Sequence, residues 1–177
     1  YKFYQFWINA EDADIPKFFR YFSLREKEEI LAVEERMATE PNVVKQELAE
    51  ELTTRIHSEE ACRAVQEVTA ILFTRNAGRE QVMNLSEAAF EAFKEEIPTF
   101  YVKNPGDPMD ISELLCENAG VFKSKGEMRR AIQGNALSIN KVKWSSIEDR
   151  LNPTEWIYNK YLMVENGKKN KYLIVAE

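Results

Sequence analysis

The sequence predicts a multidomain α plus α+β protein: an all-helical domain, then a small domain of two helices packed on a small, mainly antiparallel sheet. Three observations carry this. Apolar residues recur at helical spacing as far as Ile97, and Pro98, Pro105, Gly106 and Pro108 then fall within eleven residues. Beyond them the apolar pattern shortens to alternation, with an Asn166-Gly167 turn between two strand-like runs. The boundary is expected at about residue 104, giving domains 1–104 and 105–177.

The elements follow in order. Phe3, Phe6, Trp7 and Ala10 lie on one helical face, and Ile15, Phe18, Phe19 and Phe22 repeat the spacing after an acidic break. Ser23 with Glu26 has the form of a capping box before "EKEEILAVEERM", and Ser58 precedes Glu59 and Glu60 as an N-cap with negative charge in the first turn. Val44, Leu48, Leu52 and Ile56 form one stripe; Ala61, Val65, Val68, Ile71 and Leu72 form the next. Leu85 to Ile97 is a further amphipathic helix.

In the second domain Asp110 with Glu113 caps a short helix carrying Ile111, Leu114 and Leu115. Ser124 with Glu127 opens another, which Gly134-Asn135 ends in the left-handed conformation. "ALSIN" reads as a strand, followed after a turn by a second through Val142 and Trp144. "YLMVENGKKNKYLIVA" is a hairpin.

Composition sets the class. Apolar residues make up 44% of 177, enough for a packed core, and no run of about 18 apolar residues exists to span a membrane. With neither a basic leader nor a small-residue cleavage site, a reducing cytoplasm is the expected setting. The opening "YKFYQFWIN" at full hydrophobic intensity suggests a piece of a longer protein. Cys62 and Cys116 stand far apart and His57 is the sole histidine, so no zinc-ligand spacing arises; both thiols are expected to be buried and inert.

Charge is split along the chain. The total is −6, but residues 1–119 carry 13 Lys/Arg against 24 Asp/Glu, whereas residues 120–177 carry 11 against 6. Such asymmetry points to polyanion binding by the basic part. On the helix opening at Ser124, Lys125, Arg129 and Gln133 recur every four residues and Arg130 widens their arc, while Met128, Ala131 and Ile132 take the other side. Lys123 sits at the helix N-terminus, where backbone N–H groups favour a phosphate. Lys141 and Lys143 extend the basic surface, and Lys168, Lys169 and Lys171 form a second cluster. Single lysines are usually solubilising charges; six basic residues against one acid between Val121 and Lys143 favour RNA.

"ELLCENAGVFKSKGEMRRAIQGNALSINKVK" resembles the S-four-like RNA-binding domain shared with a small-subunit ribosomal protein. "YKFYQFWINAEDADIPKFFRYFSLREKEEI" and "LAEELTTRIHSEEACRAVQEVTAILF" resemble the region after the catalytic domain in bacterial tyrosyl-tRNA synthetases, a family in which the S-four-like domain comes next. The resemblance implies a class I tyrosine–tRNA ligase, using ATP with magnesium and dimerising through its catalytic domain. That family's His-Ile-Gly-His and Lys-Met-Ser-Lys-Ser type signatures are absent from these residues, so the chain is expected to bind tRNA(Tyr) as a monomer, with no cofactor, metal or catalysis of its own.

Carried over, the resemblance assigns RNA contacts to Lys123, Ser124, Lys125, Arg129, Arg130, Gln133, Asn140, Lys141, Lys168, Lys169 and Lys171. An acidic residue near the anticodon fits Asp12 best, with Glu11 and Asp14 as rivals and an N-cap role for Asp12 as the alternative. The family commonly has Asn-Gly where this chain has Asn140-Lys141, and Lys resists the positive φ that a tight primed turn requires. His57, in "IHSEEA", matches a family residue and is read as structural. The competing readings are an RNA-binding module of another RNA-modifying or ribosome-associated protein, and a helical protein-interaction domain with an incidental basic tail.

Overall fold

The computed structural model describes residues 1–73, 77–103 and 108–177. It is a helical region followed by a mixed sheet with helices. Two compact units divide within one helix, Tyr1–Gln66 and Glu67–Glu177. The boundary expected near 104 falls on residues outside those described, as do Pro105 and Gly106 of the proposed linker.

The first unit contains α1 (Lys2–Ile8), α2 (Ile15–Phe22), α3 (Lys27–Arg36), α4 (Pro41–Ile56) and the first half of α5 (Glu59–Phe73). Its core joins Tyr4 and Trp7 of α1, Ile15 and Phe19 of α2, Val33 of α3, and Val44, Leu48 and Leu52 of α4. Burying each such side chain contributes roughly 1.5–3 kcal/mol. Ile56, expected on the α4 stripe, is instead exposed at the helix end. Trp7 meets Phe3, Phe6, Phe18 and Phe22 edge-on, with centroids 4.9–5.9 Å apart.

Ser58 caps α5 as expected, accepting from Ala61 N–H at 3.0 Å. The box expected from Ser23 and Glu26 is displaced: Glu26 and Glu29 make it, and Ser23 ends α2. The Ser23 hydroxyl donates to Glu51 of α4, where Arg25 also binds, so a long-range carboxylate outcompetes the local cap.

The second unit continues through α6 (Arg79–Met83) and α7 (Glu87–Glu96) to a five-stranded sheet. Its strands are β1 (Thr99–Val102), β3 (Leu137–Ile139), β4 (Val142–Lys143), β6 (Tyr161–Asn166) and β7 (Asn170–Ala176), in the order β1-β7-β6-β3-β4. β1 runs parallel to β7 and the other pairs are antiparallel. β2 (Met109–Asp110) and β5 (Arg150–Leu151) form a separate antiparallel pair.

Alternation sorts the β6 and β7 side chains. Leu162, Val164 and Ile174 enter a core with Ile111, Leu114, Leu115, Phe122 and Met128, the last from α8 (Lys125–Gln133). Tyr161 and Met163, opposite Val175 and Leu173, take the other face, where Phe90 of α7 stacks on Tyr161. Cover on both faces explains why these strands read as continuous apolar runs. The segment opened by Ile111 is capped by Asp110, as expected, but Glu113–Asn118 winds as a wider π-helix, with Ala119 N–H donating to Leu114 C=O at 2.9 Å.

Candidate nucleic-acid interface

Local chemistry builds α8. The Ser124 hydroxyl accepts from Glu127 N–H at 3.2 Å, and the Glu127 carboxylate accepts from Lys123 N–H at 2.9 Å. Both bonds occupy donors at the helix start. Met128 is fully buried and fixes the helix rotation, which leaves Lys125, Arg129, Arg130 and Gln133 exposed. Lys125 pairs with the exposed Glu117 at 3.1 Å, which raises its pKa. Arg129 and Arg130 have no ion pair or side-chain hydrogen bond among the described residues, so their charge faces solvent.

At the other end, Gly134 closes the helix and Asn135 takes φ 53°. A Cβ on Gly134 would lie 3.2 Å from Arg130 C=O, so a side chain there would crowd the last turn. Gly167 N–H donates to Ala136 C=O at 2.9 Å, which brings the β6–β7 loop beside the exit of α8. At 1.5 Å per residue, Lys125 and Arg130, the first and last cations of the helix, are spaced about 7.5 Å along its axis.

The β3–β4 turn shows how Lys fits where Gly was expected. Asn140 and Lys141 have φ 45° and 67°, the positive values a two-residue primed loop needs. Asn140 holds that geometry. It is 0% exposed, its amide nitrogen donating to Glu155 C=O at 2.7 Å and its amide oxygen accepting from Met163 N–H at 3.0 Å. Among the expected RNA contacts Asn140 is therefore placed inside the fold, its amide engaged by backbone.

Lys141 reaches Glu165 at 2.8 Å, with both side chains only 12% exposed, and Lys171 approaches the same carboxylate at 3.6 Å. Glu165 escaped sequence reasoning; its signal is its place opposite Lys171 in the β6–β7 register. Lys143 donates to Asn135 C=O at 2.7 Å. Lys168 and Lys169 are exposed on the three-residue loop of the expected hairpin, since Asn166 pairs with Asn170, and Gly167 takes φ 73°. Lys141, Lys143, Lys168 and Lys171 line one groove of about 880 Å³. Lys123, Lys125, Arg129 and Arg130 form a separate patch along α8.

In the first unit, Asp12 lies in a 3-10 turn, Asp12–Asp14, 61% exposed and paired with the largely covered Lys45 of α4. It does not cap α2, whose N-terminus has no side-chain cap. Glu11 and Asp14, its rivals, are exposed beside it. His57 meets Phe3 edge-on at 5.1 Å. Cys62 is buried, and burial raises the pKa of the half-buried Cys116.

Comparison with known proteins matches both parts. Residues 89–175 fit the model of the tyrosine–tRNA ligase SYY-like C-terminal domain, and residues 1–74 that of the class I tRNA synthetases (W and Y). Tyrosine–tRNA ligases of Bacteroides fragilis (strain YCH46) and Cytophaga hutchinsonii are each 38% identical, over 100% and 98% of this chain and 42% of their own length. That of Thermobifida fusca is 35% identical over 96% of the chain and 39% of its length. The chain thus spans about two fifths of the curated relatives it matches.

Proposed function

Because this chain belongs to the tyrosine–tRNA ligase family of class I synthetases, we propose that it is the tRNA-gripping C-terminal part of such an enzyme. The whole protein attaches tyrosine to tRNA(Tyr) with ATP and magnesium, works in the cytoplasm, and dimerises through its catalytic domain. On this reading the helical domain (1–104) meets the anticodon region, with Asp12 near its first base, and the S-four-like domain (105–177) holds the anticodon stem and long variable arm. Alone, the chain is a monomer.

The carrying observation is the pair Arg129 and Arg130: two guanidinium groups on the solvent side of a helix locked by Met128, without an acidic partner among the described residues. Guanidinium forks match phosphate oxygens. Lys123, Ser124, Lys125 and Gln133 continue that face, and Lys141, Lys168, Lys169 and Lys171 supply the second cluster.

ATP chemistry is not assigned to these residues. Neither nucleotide-binding signature occurs in the sequence, and no group of three His, Cys, Asp or Glu side chains among the described residues suits a metal ion. No described helix is long and apolar enough to cross a membrane.

The test is a titration of the 177-residue chain with tRNA of long and of short variable arm over a range of salt. Tighter binding of the long-armed tRNA, weakening steeply with salt, is expected. Equal binding of both at every salt concentration would refute the reading.

A further inference from the structure

The basic groove of the second unit has an aromatic wall. Phe73, the last residue of α5, lines it together with Leu72 and is 69% exposed. Facing cations come from β3–β4 and the β6–β7 hairpin: Lys141, Lys143, Lys168 and Lys171, against the single carboxylate of Glu165. Three of these ammonium groups are already held in place, Lys141 and Lys171 on Glu165 and Lys143 on the Asn135 carbonyl. Lys168 has no side-chain partner among the described residues.

A bare cationic surface suits any phosphate backbone, but an exposed ring at the same groove adds something a paired helix cannot use. Bases inside a duplex present only their edges, and their π-faces are covered by stacking. An unpaired base presents a face that an aromatic side chain can take up, while neighbouring cations hold its phosphate. The groove's volume, about 880 Å³, lies within the range of pockets that enclose small ligands.

We propose that this groove takes one unpaired nucleotide of the bound RNA, its base on the Phe73 ring and its phosphate between Lys143 and Lys168. This rests on the RNA-binding reading above and adds to it a preference for a base outside the helical stack. Phe73 acts through stacking, which carries no charge, so its contribution is independent of salt, whereas that of Lys168 is not.

Three RNA hairpins separate these contributions: one fully paired, one with a single unpaired nucleotide in its stem, and one with an abasic residue at that position. Each is titrated by fluorescence anisotropy with the whole chain, with Phe73→Ala and with Lys168→Ala, at several salt concentrations. The unmodified chain should bind the hairpin with the unpaired base about tenfold more tightly than the other two. Phe73→Ala should erase that preference with an unchanged salt slope and thermal midpoint. Lys168→Ala should weaken binding of all three and lower the slope by about 0.7. Retention of the preference in Phe73→Ala, or equal binding of the abasic and base-bearing hairpins, would overturn the stacking site. Binding that is insensitive to salt and to Lys168→Ala would overturn the RNA reading itself.

Discussion

The Tyr161 ring lies flat on Phe90, with centroids 4.7 Å apart and planes within 7°, and its hydroxyl donates to the Glu91 carboxylate. Lys94 and Lys160 approach the same ring at 5.6 and 5.0 Å. The arrangement fastens α7 to the face of the sheet opposite α8. Its groups titrate accordingly: the Lys94 ammonium, then the Tyr161 hydroxyl, hold Glu91 down at about 2, and burial, then Glu91, pushes Tyr161 up to about 12.

Glu91 supplies an acid-sensitive element. Its folded pKa lies below the unfolded value of about 4.3, so its stabilisation is complete above that value and is lost as pH falls toward 2. The side chain is 48% exposed, and solvent screening reduces the effect to about 1 kcal/mol. Thermal melts from pH 6 to pH 2 should show a fall in midpoint that is smaller in Glu91→Gln. An equal fall in both proteins would remove Glu91 as its source.

Tyr161 acts at the alkaline end. Its raised pKa means that the neutral phenol is favoured in the fold, so this contribution is present below pH 10 and is lost as pH rises through 10 toward 12. Absorbance titration of the folded chain should show one tyrosine ionising near 12, and Tyr161→Phe should remove that late step.

The Asn140 amide ties the β3–β4 turn to the backbone around it. Asn140→Ala would leave the Met163 N–H and Glu155 C=O without the amide and would put a Cβ residue lacking that compensation at φ 45°. A loss of about 2–4 kcal/mol follows from one buried donor, one buried acceptor and the left-handed backbone. Denaturant melts should register it.

What could be read from the sequence follows sequence distance. The Ser124 cap, the left-handed exit at Asn135 and the turn after Asn166 are set by residues three or four apart, and local chemistry sufficed for them. Ser23 failed as a cap because Glu51 competes for it from another helix. β1 was hidden: "TFYV" has no alternation of its own and becomes a strand by pairing with Leu173–Ala176. In the candidate interface the exposed face of α8 was legible from period alone. The role of Glu165 was not, since Lys141 reaches it only after β3 and β6 pair.

Arg129→Ala with Arg130→Ala tests the interface without disturbing the core. Both side chains are exposed, and Ala is a better helix former, so the thermal midpoint should stay nearly constant. On the proposed reading the change removes two phosphate contacts, which should lower the salt slope of tRNA binding by about 1.4–1.8. Unfolding of the double variant would show that the pair supports α8 instead.

The position of β1 and α7 predicts where the second unit can be cut. A chain of residues 105–177 lacks both, leaving β7 without its parallel neighbour and uncovering Tyr161, Met163, Leu173 and Val175. Phe90 and Phe93, buried in the whole chain, are lost as well. At roughly 1.5–3 kcal/mol each, they represent a large share of the 5–15 kcal/mol that holds a typical domain together. Residues 77–177 keep α6, α7 and β1, with the Arg79–Glu155 pair at 2.7 Å and the Tyr158 hydroxyl on Leu85 C=O at 3.0 Å. The longer piece should unfold cooperatively and retain salt-dependent RNA binding. The shorter should melt without a sharp transition, and a sharp transition in it would show that α7 and β1 are dispensable to the sheet.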